Sequence, residues 1–405
     1  MYKYIKTLGP GLLFAGAAIG VSHLVQSTRA GADFDFGLLW ALLLVHLFKY
    51  PFFRYGPEYT MATGECLLDG YKKLGRPILI AYFILTFATM FTIQTALTVV
   101  TAGLASTLFG ITTDTVLWSA IITAVCMVIL LIGRYKLLDN LMKIIVLTLT
   151  ISTCITVVLA VPDTTVSHTF EQVLPKSAAG MAFLIAYMGW MPAPLDISIW
   201  HSLWALEKKK TIPDYSVKNS ISDFNLGFGS TIILGFLFMA LGGLVMFGSG
   251  EIFSTNATLF SEQLISLYTR NLGEAAYIFI AIAAFTTMFS TTLTTLDASP
   301  RAMSYTTKLL LGQKDRQYYA LWMAILATGT IAILLFFLSE MKTLIDIATI
   351  LSFVTAPFYA IINFRLICSS HTPKQYRPGI LMKIVSWLGI IFLVGFSLWY
   401  IITLF

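Results

Sequence analysis

Eleven apolar runs, each long enough to cross a bilayer as a helix, follow one another along this chain. They cover roughly 9–31, 36–56, 78–109, 116–133, 140–161, 178–204, 226–248, 274–296, 318–338, 343–367 and 381–404. A hydrocarbon core about 30 Å thick is crossed by about 20 apolar residues in an α-helix. Inside it every backbone N–H and C=O must find its partner within the protein, which leaves helices or a closed barrel. Runs of this length exclude barrel strands, so the fold class is an all-α integral membrane protein in one polytopic unit over 1–405. Only 11% of residues are charged, which no soluble domain of this size matches. The first run continues from Leu12 into glycine- and polar-interrupted sequence, without the small-residue cleavage site of a signal peptide.

Lys and Arg set the orientation. With the N-terminus inside, the cytoplasmic segments carry Lys3, Lys6, Lys72, Lys73, Arg76, Arg134, Lys136, Lys208 to Lys210, Lys218, Lys308, Lys314, Arg316, Arg365, Lys374, Arg377 and Lys383. The opposite ends carry only Arg29, Lys176, Arg270 and Lys342. The sequence therefore predicts a multi-pass protein of the plasma membrane with its N-terminus cytoplasmic and its C-terminus outside. The net charge of +6 follows from this bias and needs no nucleic acid. Cys66, Cys126, Cys154 and Cys368 are scattered without a CxxC, which argues against a disulfide framework or a zinc site. Gly64–Arg76 and Pro213–Asp223 read as interfacial helices, and Gly250–Leu272 as a polar loop. That loop holds Asn256-Ala257-Thr258, a glycosylation sequon only in an organism with a secretory pathway.

The sixth run is interrupted by Gly189-Trp190-Met191-Pro192-Ala193-Pro194-Leu195-Asp196. Prolines at i and i+2 remove two N–H donors, clash with carbonyls one turn back and push the preceding residues out of the α region. A helix broken at membrane depth frees backbone carbonyls, tolerable only inside protein or a wet cavity. Asp196 adds a carboxylate that must be protonated, paired or bound to a cation there. A broken helix beside a lone acid is how secondary transporters build an ion or substrate site. The first run is loosened in the same way by Gly16, Gly20, Ser22 and His23. Breaks five spans apart suggest two inverted five-helix repeats, roughly 9–161 and 178–367, with 381–404 added.

Other polar groups at depth have two readings each. Met191 is either core filler or a soft thioether ligand. His23 is a metal ligand, a proton carrier or a packed histidine, and Gln26 would share its face and supply an oxygen. His46 reads as a satisfied core histidine, with Lys49 and Arg54 snorkelling to the headgroups. His201 could line a path from Asp196. The hydroxyl-rich stretch Thr286–Thr295 suits either an ion or helix-to-helix hydrogen bonds, with Asp297 paired to Arg301 at i, i+4.

Several of these segments resemble one family. Gly9-Pro10-Gly11-Leu12-Leu13, Gly31-Ala32-Asp33-Phe34 leading to Leu38-Leu39-Trp40, Leu108-Phe109-Gly110-Ile111, Arg134 to Asp139, and Met191-Pro192 are similar to the natural resistance-associated macrophage protein (NRAMP) divalent metal transporters. The resemblance implies a LeuT-like fold with a divalent cation between broken helices one and six. It also implies departures at the site. The family's first-helix Asp-Pro-Gly-Asn falls on Gly20-Val21-Ser22-His23, so its metal-binding Asp is Gly20 here. Its sixth-helix Met-Pro-His-Asn falls on Met191-Pro192-Ala193-Pro194, and its tenth-helix Gln on Thr349. The third-helix acids of its proton path fall on Gln94 and Leu97. The later sixth-helix His-Ser matches His201-Ser202 only with a shift; ungapped, Ser198 takes the histidine's place.

The sequence thus predicts a secondary-active transporter of divalent metal ions in the Mn/Fe or Mg class, working by alternating access. The metal contacts are Asp196, Met191, His23, Gly20, Gln26, Ala193 and Thr349. The metal is cargo, no cofactor is expected, and H⁺ or Na⁺ is a possible coupling ion. The alternative is a sodium- or proton-coupled carrier of a small organic solute, whose ion would sit at the threonines of span eight. A non-transporting sensor is disfavoured by the short cytoplasmic loops, and no nucleophile–base pair or cofactor motif supports an enzyme.

Overall fold

A computed structural model describes residues 8–132, 135–160, 168–212, 215–250, 253–254, 256–273, 277–313, 317–337 and 341–403. Among these the regular structure is helical, with no strand. A helix, or a pair of half-helices, falls on each of the eleven apolar runs, and the spans are numbered accordingly. Among the described residues, six helices are long and apolar enough to cross a membrane on composition alone: Arg76–Phe109, Thr115–Ile132, Val217–Met246, Tyr319–Phe336, Lys342–Cys368 and Ile380–Ile402. Span one is a broken pair, Pro10–Ala18 and Ser22–Phe34, bent by 47°. Span six divides into Ala178–Trp190 and Ile197–Thr211. Spans two (Leu39–Thr63), five (Tyr135–Ala160) and eight (Tyr277–Leu311) complete the eleven.

Span one lies in a groove of span seven, and small residues make the fit. A Cβ on Gly227 would stand 2.0 Å from the Gly11 carbonyl oxygen, and one on Gly31 would stand 1.9 Å from that of Met239. Lipid gives helices no hydrophobic reason to associate, so such close backbone approach, with its dispersion and hydrogen bonding, holds the broken span in place. Span eight contributes hydroxyls. Thr292 Oγ1 lies 2.8 Å from Thr101 Oγ1 of span three, and Gln94 Nε2 donates to the Thr292 carbonyl at 3.3 Å. Gln94 therefore stands in span three as a neutral packing group.

Two segments differ from the sequence reading. Val217–Asp223 is the start of span seven and not a separate interfacial helix, with Ser216 accepting from Asn219 N to cap it; Pro213 and Asp214 lie outside the described residues. Within Gly250–Leu272, Ala257–Leu272 is a helix rather than loop. Asn256 Oδ1 caps it by accepting from Thr258 N and Leu259 N, and Phe260, Leu264 and Ile265 bury an apolar face. Polar composition hid an amphipathic helix. Gly64–Arg76 contains the helix Leu67–Leu74, entered through Gly64 at φ 76° and docked by Leu67 N on Ser202 Oγ at 3.2 Å.

Candidate functional site

The break in span six is built by its prolines. The first half ends at Trp190, residues 191–196 leave the helix, and the second half starts at Ile197 with Asp196 at its N-cap position. The carbonyls this frees do not stand empty. Lys49 Nζ donates to Gly189 O at 2.7 Å, Met188 O at 2.8 Å, Met191 O at 2.9 Å and Ala193 O at 3.3 Å. Its side chain is fully buried. The snorkelling expected of Lys49 is therefore overturned: the ammonium points inward. An ammonium has three donors, so four carbonyls at the negative end of a half-helix satisfy it completely without water. Arg54, one turn nearer the membrane edge, pairs with Glu58 at 3.2 Å instead.

Asp196 is buried, and its Oδ1 has no hydrogen-bond partner among the described residues. Next to it, Ser198 Oγ accepts from Asn363 Nδ2 at 3.0 Å, and Asn363 Oδ1 accepts from Tyr71 OH at 2.6 Å. Ser198 is thereby tied to span ten.

Span one breaks at Gly20 and restarts as a π-helical stretch, Ser22–Ser27. Thr291 of span eight donates to the freed carbonyls of Gly16 and Ile19, 3.1 and 3.2 Å away, and Ser22 Oγ lies 2.5 Å from Ala18 O. Thr291 alone of the described stripe reaches the break of span one; Thr286, Thr287, Ser290 and Thr294 bond carbonyls of their own helix. Gly20 packs on Thr291, since a Cβ there would lie 2.9 Å from Thr291 Cγ2.

His23 uses both ring nitrogens. Nε2 lies 3.0 Å from the Thr231 carbonyl of span seven and Nδ1 lies 2.7 Å from Ser22 Oγ. Nδ1 also lies 3.2 Å from the Ala18 carbonyl, to which Ser22 Oγ donates, so both ring nitrogens face acceptors and a neutral ring can donate to only one of them. His46 has one such acceptor. Its Nδ1 donates to Leu42 O at 2.7 Å, which leaves Nε2 as a buried acceptor without a partner among the described residues. Gln26 Oε1 accepts from Arg29 Nη1 at 2.9 Å, and the same nitrogen reaches Asp346 of span ten at 3.1 Å. The Gln26 oxygen is therefore committed to that network.

Met191 Sδ lies 3.9 Å from Ser27 Oγ, beside Gly235 and the His23 ring. Thr349 Oγ1 donates to Ile345 O at 2.7 Å, and its own carbonyl packs on Gly189, where a Cβ would stand 2.1 Å away. His201 is buried between the rings of Phe14 and Phe224, 5.7 and 5.5 Å from their centroids. Neither of its nitrogens has a partner among the described residues. A cavity of about 20 Å³, room for about one water, is lined by Gly20, Trp190, Pro194 and Thr291 among others. The structure thus brings Asp196, Met191 and Ala193 together at one break, with Gly20 and His23 at the other. Gln26 and Thr349 lie against them with their side-chain oxygens already engaged.

Two contributors are not legible in the sequence alone: Lys49, whose ammonium points inward, and Asp223. The Asp223 carboxylate accepts from Gly9 N at 3.2 Å and Gly11 N at 2.7 Å, closing the start of span one. A helix opening on Gly-Pro-Gly with no acid of its own was the available signal. For Thr291 the helix-to-helix reading of the hydroxyl-rich stretch holds.

Residues 11–403 match the family model described as natural resistance-associated macrophage protein-like. The chain belongs to that family. An uncharacterised protein of Pasteurella multocida (strain Pm70) is 35% identical to this Nramp protein over 99% of the chain and 93% of its own length. A manganese transporter of Eremococcus coleocola has a similar structure, with a TM-score of 0.77 at 16% identity, covering 98% of this chain and 86% of that one. MhsT in complex with L-phenylalanine aligns with a TM-score of 0.67 at 14% identity, over 98% of each chain. The fold is the LeuT-like one, two inverted five-helix repeats plus an eleventh helix, and the protein is a multi-pass membrane transporter, not an enzyme.

Proposed function

We propose that this Nramp protein is a secondary-active transporter of divalent metal ions, alternately exposing a site between the breaks of spans one and six. Family membership supports the class of cargo, and the fold shared with a manganese transporter agrees with it. The observation that carries the site is Asp196, a buried carboxylate whose Oδ1 lacks a partner beside unwound backbone. A dication that sheds water needs ligand charge in return, and Asp196 supplies it where Gly20 does not. Met191 adds a thioether, and the carbonyls of Met191 and Ala193 add oxygens once Lys49 gives way. His23 faces the ion from span one beside Gly20, whose own carbonyl is taken by Leu24 N at 2.9 Å, with Gln26 and Thr349 supporting the wall. One carboxylate with sulfur and nitrogen neighbours suits Mn²⁺ or Fe²⁺; Mg²⁺ would use Asp196 and carbonyls alone. The ion is cargo, not a cofactor.

We place the repeats at 9–161 and 178–367, in the plasma membrane, with the N-terminus cytoplasmic. A cysteine at position 209 in intact cells is then labelled only by membrane-permeant reagents; labelling from outside reverses the orientation. With Gln94 and Leu97 where the resembling family has acids, span three offers no proton carrier, so any coupling ion, H⁺ or Na⁺, uses another route.

One observation favours a second reading, a coupled carrier of a small organic solute. Lys49 and Asp196 together bring no net charge to the break, which suits a neutral or zwitterionic cargo better than a bare dication. Uptake into proteoliposomes decides between them. Mn²⁺, Fe²⁺ or Mg²⁺ accumulating without amino-acid flux is the expected result; amino-acid flux without metal flux transfers the site to the second reading.

A further inference from the structure

Lys49 is a buried cation that the transport reading treats only as an obstacle at the break. Its ammonium is held by four main-chain oxygens at 2.7 to 3.3 Å, all from residues 188–193. This is the donor set of a monovalent-cation site: neutral carbonyls converging on one point, at the C-terminal end of a half-helix where the dipole is negative. Such carbonyls are costly to leave unpaired inside a membrane protein. Pro192 has no N–H to offer Met188, and residues 191–196 leave the helix, so the usual donors four residues on do not reach Gly189, Met191 and Ala193.

We propose that the break of span six is a monovalent-cation site, selective for primary ammonium, which this chain fills with the tethered ammonium of Lys49. The tether keeps the occupant beside the break, which therefore stays ordered without an ion from solution. It also sets a condition on cargo: any cation that uses the carbonyls of Met191 or Ala193 must first displace Lys49 from them. The inference concerns the occupant of the break and holds for either cargo.

Lys49→Ala empties the cage and removes a fragment equivalent to n-propylammonium. The variant, purified throughout in millimolar n-propylammonium, is expected to fold and to melt close to wild type. After dialysis into tetramethylammonium, which carries the charge but no N–H, it should melt several degrees lower. Returning n-propylammonium should restore at least half of that loss. Lys49→Met fills the space without charge or donors, so it should melt lower than wild type and ignore n-propylammonium. The proposal is overturned if Lys49→Met is as stable as wild type, or if Lys49→Ala responds equally to both ions or to neither. Failure to recover folded Lys49→Ala in n-propylammonium also overturns it. These readouts use no metal, so absence of Mn²⁺ binding by the wild type would sink the transport reading and leave this one standing.

Discussion

Asp196→Asn is expected to abolish saturable binding of Mn²⁺ while the protein remains folded. Across the two breaks Asp196 is the one carboxylate, and its partnerless Oδ1 is free to face an ion. Asn keeps the shape and one oxygen and loses the charge. Removing an anionic ligand from a partly dehydrated dication weakens binding by roughly 2–4 kcal/mol, about 30- to 1000-fold. The fold should tolerate the change, because Lys49 keeps its four carbonyls and no hydrogen bond of the Asp196 Oδ1 is lost. Asp297→Asn is the control. Asp297 is paired with Arg301 at 2.7 Å and accepts from Tyr319 OH at 2.6 Å, so its charge is already used at the far end of span eight. It should change metal affinity by less than about threefold, which corresponds to under 1 kcal/mol. Calorimetric titration with a melting curve for each variant makes the comparison. Wild-type binding by Asp196→Asn, with loss in Asp297→Asn, would move the site to span eight.

The framework of this protein was legible because membrane physics writes it in long runs. Eleven apolar stretches mark eleven places for a helix, and two prolines mark the break of span six. What was illegible were the partners of polar groups. Lys49 read as a snorkelling residue because its local surroundings are apolar and basic. Its acceptors lie 139 to 144 residues further along the chain, and nothing in the sequence says that two helices bring them together. The same holds for the Gln26 side chain. Arg29 lies one turn away and was readable as a neighbour, but Asp346, which fixes the arginine, comes from span ten. Amphipathic character was also underweighted, so Ala257–Leu272 passed for loop. The threonine stripe shows a third limit. Hydroxyl density announces polar contacts, but only the positions of Gly16 and Ile19 show that Thr291 serves the break of span one.

Asp223→Asn is expected to release the N-terminal end of span one from span seven. The first helical residues of any helix present N–H groups without intrahelical partners, and here Pro10 at the first position leaves Gly9 and Gly11 to be satisfied. No side chain of span one does this. The Asp223 carboxylate does, receiving Gly11 N at 2.7 Å, Gly9 N at 3.2 Å and Tyr215 OH at 3.3 Å. Lys208 Nζ holds the Leu8 carbonyl at 3.0 Å from span six, so the two charges clamp both sides of one turn. A carboxylate at a helix N-terminus also meets the positive end of the dipole. Asn retains one oxygen and turns an NH₂ towards donors, so at least one charge-assisted bond is lost and one N–H is opposed. The loss is about 1.5–3 kcal/mol, which raises the population of an opened N-terminal turn roughly 10- to 150-fold if opening is local. Leu13 is fully buried in the closed structure. A cysteine at that position, with the exposed Cys154 and half-buried Cys368 replaced by serine, should react with maleimide at least tenfold faster when Asp223 is Asn. Tyr215→Phe removes only the longest of the three contacts and should accelerate it far less. Equal rates with and without the Asp223 change would mean that the glycine contacts with span seven, and not this carboxylate, keep the end closed.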